Sequence, residues 1–576
     1  MNKMKIFVNG QEVWIEKDST VLNAVKQQGI DLPTLCHHPD QRVKANCRVC
    51  VVEVEGVKNL VASCSTKVAE GMRITTNSPR VRETVRTILE LIFADHPHEC
   101  LTCIRNGNCE LRQLASKYGV RDIEGEKANN IFPQDKSTPS LVRNPNKCIK
   151  CGRCAEVCHH TQNVGILYSH NRGTEVCIAP EYGKQLAEVA CVLCGQCALV
   201  CPVGAIHEKD DTDLVWEALA NPHKHVVVQT APAVRVSIAE EFGLPPGEIS
   251  TGKLVTALRK LGFDQVFDTD FTADLTIMEE GHELLQRMQT GKNLPLLTSC
   301  SPGWINYIEQ YYPGLLPLVS TCKSPQQMFG ALAKTYYAQS SGIEPKNIFV
   351  VSVMPCTAKK YEAARPEMNS SGFRDVDAVL TSRELGRMLR QEGMDFQKLT
   401  ESEFDAPLGI SSGAAAIFGA TGGVMEAALR TVYEVVTGES LCKLEFSEVR
   451  GMEGIKEASV ELDGKEIKVA VAHGLDKAKK VMELIQSGKA DYSFVEIMCC
   501  PGGCIGGGGQ PYGTTNEVRA KRIEALYQVD ENMPVRKSHE NPAVQDLYRD
   551  FLKEPLGELS HQLLHTEYRN RGLSIN

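Results

Sequence analysis

The chain has 576 residues, 23 of them cysteine, with 63 Lys+Arg against 72 Asp+Glu and a formal net charge of −9. That length predicts about three to five domains, and the missing basic excess argues against nucleic acid as a main partner. No run of about 18 apolar residues predicts a membrane span, and Met1 to Gly10 lacks the apolar core and cleavage site of a secretory signal, so a cytoplasmic setting is expected, where disulfides are rare and thiols on this scale point to metal or redox chemistry.

Sixteen cysteines lie at or before Cys201, and the remaining 375 residues hold seven. The front third therefore reads as several small domains, each too small to fold well on an apolar core alone, with bound clusters supplying stability. Lys5 to Val8 and Glu12 to Ile15 flank Asn9-Gly10, a hairpin signal. Thr20 is the predicted N-cap of a helix carrying Val21, Leu22 and Val25 and ending at Gly29. Cys36, Cys47, Cys50 and Cys64 follow as Cys-x10-Cys-x2-Cys-x13-Cys. Four soft thiolates suit a [2Fe–2S] centre. Zinc and plain buried thiols are the alternatives, and the hairpin–helix frame resembles a plant-type ferredoxin.

Ser78-Pro79 opens a predicted helix with Val81, Val85, Ile88, Leu89, Ile92 and Phe93 at helical spacing. It leads into His96, Cys100, Cys103 and Cys109, a four-ligand set that suits either an iron–sulfur cluster or zinc. His37, His38 and His98 lie close by and are read as bystanders. Next, Cys148, Cys151, Cys154 and Cys158 repeat as Cys191, Cys194, Cys197 and Cys201 at the same Cys-x2-Cys-x2-Cys-x3-Cys spacing. This doubled run is the two-cluster ferredoxin signature, in which the fourth cysteine of each run ligates the other cluster. One [4Fe–4S] is expected on Cys148, Cys151, Cys154 and Cys201, and the other on Cys158, Cys191, Cys194 and Cys197. Cys177, Cys322 and Cys442 read as packed thiols. A row of clusters carries single electrons between a surface and a buried site, so the front third reads as wiring.

In the rear, His225 to Val228, Asp264 to Phe267, Ile348 to Val353 and Val469 to Val471 are predicted strands, and Leu254 to Leu261 a helix ending at Gly262. Such alternation predicts parallel α/β sheets with sites at strand ends. Gly506 to Gly509 lacks the strand-to-helix context and the Lys-Ser/Thr of a phosphate loop, so no nucleotide or flavin site is expected. Three cysteine environments stand out: Thr298 to Trp304 around Cys300, Met354 to Glu362 around Cys356, and Glu496 to Pro511 around Cys499, Cys500 and Cys504. Glycine at that density lets backbone approach a bulky inorganic group, and Lys359 can donate hydrogen bonds to an anionic ligand.

These three segments resemble the signature motifs of the iron-only, or [FeFe], hydrogenases. The front third resembles the accessory-cluster domains of that family's larger members. The resemblance implies a multidomain α+β and α/β chain: 1–78 a plant-type [2Fe–2S] ferredoxin-like domain, 79–138 a [4Fe–4S] domain with one histidine and three cysteine ligands, 139–210 a two-[4Fe–4S] ferredoxin-like domain, and 211–576 a two-lobed α/β catalytic domain ending in a small-subunit-like region. It also implies an H-cluster, a [4Fe–4S] cubane joined to a diiron unit with CO, CN and a dithiolate amine, beside three accessory [4Fe–4S] and one [2Fe–2S]. Cys356, Cys500 and Cys504 would hold the cubane, with Cys504 as the bridge. Lys359, Ala231-Pro232 and Ser324 would hold the cyanides, with Met354 and Met498 packed around the diiron. A proton path would run from Cys300 through Glu280, Ser320, Glu283 and Arg287. Without the resemblance, Glu280, Glu283 and Arg287 read as a solvated helix face.

One departure is visible. The family's first motif usually carries two adjacent cysteines, and here it is Cys300-Ser301. The fourth cubane ligand is thus Ser301, Cys300 or the additional Cys499. The implied activity is reversible oxidation of hydrogen. Electrons would pass to ferredoxin or an NAD(P)-binding flavoprotein, after maturation proteins have supplied the diiron unit. A non-catalytic hydrogen-sensing or assembly relative, and an electron-wiring subunit of the respiratory complex I kind, are the alternatives.

Overall fold

A computed structural model describes residues 3–121, 132–441, 443–462 and 464–572. Cys442 lies outside them. At the N-terminus, β1 (Lys3–Val8) and β2 (Gln11–Glu16) form the predicted hairpin, with Asn9 and Gly10 both at positive φ. Strands β3 (Val51–Val54), β4 (Val61–Ala62) and β5 (Arg73–Thr75) complete a sheet of order β2-β1-β5-β3-β4. The helix Val21–Gln27 is capped by the Thr20 hydroxyl, which accepts from Asn23 N, and it buries Val21, Leu22, Ala24 and Val25 against this sheet's core.

The helix Pro79–Ala94, capped by Ser78, buries Val81, Val85, Leu89 and Phe93. They share one core with Leu111 and Ala115 of the helix Glu110–Tyr118 and with Cys201 and Val203 of the next unit. That next unit has two small two-stranded sheets, β6 (Leu141–Arg143) with β9 (Ile206–Glu208) and β7 (Tyr168–His170) with β8 (Cys177–Ala179). Its core is small, with Leu141, Cys154, Leu167, Ile178, Leu186, Leu193, Ala198 and Ile206 as its buried members. Cores of that size leave stability to bound clusters.

The rear has two sheets. Strands β10 (His225–Thr230), β11 (Gln265–Asp268), β13 (Ile348–Met354) and β14 (Ala378–Thr381) form an all-parallel sheet of order β11-β10-β13-β14. Strands β12 (Leu296–Leu297), β15 (Ile455–Leu462), β16 (Lys465–His473) and β17 (Phe494–Met498) form the other, of order β12-β17-β16-β15. Along β17, Phe494 and Met498 enter one core while Val495 and Ile497 enter the core on the opposite face. Burial on both faces is why these strands read as continuous apolar runs rather than alternating ones.

Candidate metal centres and catalytic site

The front thiols converge in space. The Cys36 thiol lies beside that of Cys47, and the Cys50 thiol beside that of Cys64. Cys36 is also close enough to exert its charge on both members of the second pair. In the next unit, Cys100 lies in a short 3₁₀ turn, Cys103 follows it, and Cys109 precedes the helix Glu110–Tyr118. His96 is buried, and its Nδ1 has no partner. Burial pushes the ring down to about 4, which keeps it in the neutral form that ligates metals. Of the other histidines, His37 also has a buried Nδ1 without a partner among the described residues, while His38 and His98 have one. His98 Nε2 faces Phe93 O at 3.1 Å, and His38 Nδ1 accepts from Asp40 N at 3.3 Å.

The doubled run closes into two cavities. Cys148, Cys151, Cys154 and Cys201 line one, while Cys158, Cys191, Cys194 and Cys197 line the other. The fourth cysteine of each run faces the opposite cavity, as the spacing predicts. Gly152 and Gly195 hold φ of +77° and +69° at matching places in the two runs, the left-handed backbone that glycine adopts without strain.

In the rear, chemistry gathers where strand ends of the two sheets meet. Ala231-Pro232 follows β10, Cys356 follows β13, Cys300 follows β12 and Cys499-Cys500 follow β17. Ligand sites at carboxyl ends of parallel strands are the rule in α/β folds. The thiols of Cys356, Cys500 and Cys504 are buried together and act on one another electrostatically. The glycine-rich segment after Cys504 lies close against neighbouring backbone. A Cβ on Gly507 would stand 2.1 Å from Pro355 O, and one on Gly508 2.2 Å from Cys194 O. Met354 and Met498, the last residues of β13 and β17, are both buried.

Lys359 Nζ donates to Cys300 O at 3.2 Å and to Glu362 Oε2 at 2.9 Å. The same carboxylate oxygen accepts from Ser324 Oγ and Gln326 Nε2. Glu362 thus gathers two of the predicted cyanide-side residues, and the sequence reading missed it. Its spacing three residues after Lys359 on one helix was the available signal.

The helix Thr269–Thr290 carries Glu280, Glu283 and Arg287. Its solvated-face reading is corrected: these residues are 2%, 5% and 8% exposed. The reason is tertiary, since the helix packs against Pro325–Leu332 and Gly423–Thr437 and is covered by the C-terminal segment. Glu280 Oε1 has no partner among the described residues, and burial, then the charge of Glu283, raises its carboxyl to about 8. Ser320 Oγ donates to Glu283 Oε2 at 2.8 Å, and Arg287 Nη2 donates to Glu283 Oε1 at 2.6 Å. At the inner end, Glu280, Cys504 and Lys359 act electrostatically on the Cys300 thiol.

Cys300 and Ser301 part company. Cys300 faces Glu280 and Lys359, whereas Ser301 Oγ accepts from Cys499 N at 3.2 Å. The Cys499 thiol lies beside the thiols of Cys194 and Cys500, and it sits where a Cβ on Gly303 would be 2.6 Å away. Three buried thiols, a fourth beside them, orphaned acceptors on Glu280 and Gln326 and close-packed glycine backbone fit a bulky iron–sulfur group with polar ligands.

Comparison with known proteins adds the family context. Residues 224–508 match the iron only hydrogenase large subunit, C-terminal domain, and 516–571 the iron hydrogenase small subunit. Residues 2–79 match a 2Fe-2S iron-sulfur cluster binding domain, 86–124 the NADH-ubiquinone oxidoreductase-G iron-sulfur binding region, and 127–205 a 4Fe-4S dicluster domain. NADP-reducing hydrogenase subunit HndD of Solidesulfovibrio fructosivorans is 49% identical, over 99% of this chain and 100% of its own length. Iron hydrogenase 1 of Clostridium pasteurianum is 42% identical over 98% of this chain and 99% of its own. A solved structure of [FeFe]-hydrogenase HydA1 from Chlamydomonas reinhardtii superposes with a TM-score of 0.57 at 46% identity, over 63% of this chain and all of that one.

Proposed function

The chain belongs to the iron-only hydrogenase family and is an [FeFe] hydrogenase with accessory iron–sulfur domains, and from that premise we propose how its residues divide the work. When bound, the H-cluster supplies the metal chemistry that interconverts hydrogen with two protons and two electrons. The observation that carries the assignment is the convergence of Cys356, Cys500 and Cys504 where strand ends of the two sheets meet, with Cys300 and Glu280 beside them.

Cys356, Cys500 and Cys504 would hold the cubane. Cys499 is the fourth ligand in this reading: its thiol lies beside those of Cys194 and Cys500, and the Ser301 hydroxyl accepts from the Cys499 amide. Sulfur is also the better iron ligand, since a serine hydroxyl must first lose its proton. Cys300 is thereby free to move protons to and from Glu280. Lys359, Ser324 and the Ala231-Pro232 turn bind and orient the diiron unit's polar ligands, with Met354 and Met498 excluding water. Ser320 and Glu283 continue the proton route, and Arg287 fixes Glu283.

The accessory set is one [2Fe–2S] on Cys36, Cys47, Cys50 and Cys64, and three [4Fe–4S]. One of these takes His96, Cys100, Cys103 and Cys109, and the other two occupy the paired cavities. The units are 1–78, 79–138, 139–210 and 211–576. The full-length likeness to an NADP-reducing hydrogenase subunit, together with Cys300-Ser301, favours an NAD(P)-linked flavoprotein as electron partner over a free ferredoxin. A cytoplasmic, multimeric setting follows from that partner, and maturation proteins would deliver the diiron unit.

The test is anaerobic loading of the chain with the diiron cofactor. Hydrogen production from reduced methyl viologen and infrared bands of bound CO and CN are the expected results. Absence of both overturns the assignment. Co-purification from the source identifies the partner, and a flavoprotein that reduces NADP with hydrogen is the expected one.

A further inference from the structure

We propose that the C-terminal segment supplies a proton outlet from Glu283 through Thr321, His565 and His561. This inference rests on the proton route read above and extends it to solvent.

Arg287 is a poor last carrier. Its Nη1 donates to Asn293 O and Leu318 O and its Nη2 to Val319 O and Glu283 Oε1, so the guanidinium is held on several sides. A guanidinium does not give up a proton in proteins. Arg287 therefore fixes the Glu283 carboxylate rather than relaying beyond it.

The opposite side of Glu283 has a group that can relay. A His565 ring nitrogen, a Glu283 carboxylate oxygen and Cys322 Sγ all lie within 4.8 Å of one another. The tail is fixed there by backbone pairing: Lys323 N donates to Leu564 O at 2.7 Å, and Thr566 N to Thr321 O at 2.8 Å. The Thr321 hydroxyl lies 2.8 Å from His565 Nδ1, and Thr321 N donates to both Glu283 carboxylate oxygens. His565 Nε2 is 3.1 Å from Glu279 Oε2. Glu279 also accepts from Tyr548 OH and Leu556 N, which anchors that carboxylate. A carboxylate on Nε2 selects the tautomer that carries its proton there and leaves Nδ1 to accept. The His561 ring lies 4.4 Å from the His565 ring, and His561 is exposed.

The groups facing His565 are thus Glu279, Glu283, Cys322 and His561. Burial keeps the Cys322 thiol protonated, so it packs and does not carry. In the outward direction, the Glu283 carboxyl loses its proton and His565 Nδ1 gains one, across the Thr321 hydroxyl or a single bridging water. The imidazolium then loses a proton to the His561 ring, and His561 releases it to bulk water. The reverse order serves hydrogen production, and no electron moves in either direction.

The experiment uses the fully loaded chain. His561→Gln alters an exposed side chain and leaves the fold undisturbed, while His565→Gln removes the buried relay. Each is expected to lower hydrogen turnover by about fivefold or more, with much of the loss restored by added imidazole as a diffusing proton carrier. Iron content and the CO and CN infrared bands should match the unaltered chain. Histidine ring bands that accompany protonation changes in difference infrared spectra should vanish in His565→Gln. Full activity in both variants, or a loss that imidazole does not relieve in either, overturns the outlet. If His565→Gln does not fold, His561→Gln decides alone. An unaltered chain without activity or CO and CN bands instead overturns the hydrogenase assignment.

Discussion

Glu280 and Glu283 show how single side chains set a proton-transfer range. Burial, then the Glu283 charge, raises the Glu280 carboxyl to about 8. Below that value the carboxyl is protonated and can give a proton toward Cys300. As pH rises through it, the proton is lost and hydrogen production declines. Glu283→Gln removes the neighbouring negative charge that helps raise Glu280, so the midpoint of the residual activity should move to lower pH. A pH profile of turnover checks it, and an unmoved or raised midpoint contradicts the reading.

Cys499 carries a second residue-scale prediction. Cys499→Ala should lose iron from the catalytic cubane and weaken its electron paramagnetic signal, while Ser301→Ala keeps both. The opposite result makes Ser301 the ligand. Ser301→Cys in the Cys499→Ala background should restore the iron, because it returns sulfur to the other side of the same contact.

Among the elements, the helix Pro302–Tyr311 ties the first cysteine motif to the tail. Its Glu309 is fully buried and takes Arg365 in a two-point ion pair, at 3.0 and 2.7 Å. Arg569 N and Arg571 Nε add to the same carboxylate. Glu309→Ala removes the two-point pair and leaves the buried Arg365 guanidinium to Glu367 alone, a change expected to cost about 1–3 kcal/mol. Thermal unfolding of the loaded protein should fall accordingly, and a stability equal to that of the unaltered chain counts against the pair. Sequence patterning predicted the strands β1, β2, β10, β11 and β13 and the helices Pro79–Ala94 and Thr251–Leu261. It misjudged the burial of the helix Thr269–Thr290. Charged residues at i, i+3 and i+7 look solvated unless one knows what packs over them.

In the whole molecule, the decisive contact is between wiring and catalysis. The Gln196 amide donates to Gly506 O at 2.8 Å, and Thr357 Oγ1 to Leu193 O at 2.8 Å. A Cβ on Gly195 would stand 2.3 Å from Thr357 Oγ1. Gly195 therefore lets the cluster-bearing turn press against the residue after Cys356, and its φ of +69° disfavours a side chain as well. Gly195→Ala should push the two loops apart. Reduction of the accessory clusters by hydrogen, followed by freeze-quenched spectra, is expected to slow by about tenfold, with hydrogen–deuterium exchange at the catalytic site unchanged. Equal slowing of both places the effect elsewhere.

By itself, the sequence determined the family. Cysteine spacing proposes the front ligand sets, because a cluster needs several thiolates within a few ångströms and short loops supply them locally, and the three rear motifs carry the resemblance. Local patterning likewise predicted the hairpin, the caps and three of the four strands of the parallel sheet, β14 being missed. Tertiary structure alone decided what faces what. Cys300 turns to Glu280 while Cys499 turns to Cys194 and Cys500. Glu362 gathers Lys359 and Ser324, and His565 reaches Glu279 across nearly half the chain. Apart from the neighbours Lys359–Glu362 and Cys499–Cys500, these are contacts between residues that are not close in sequence, created by packing. The choice between a ligand, a relay and a packed thiol depends on them.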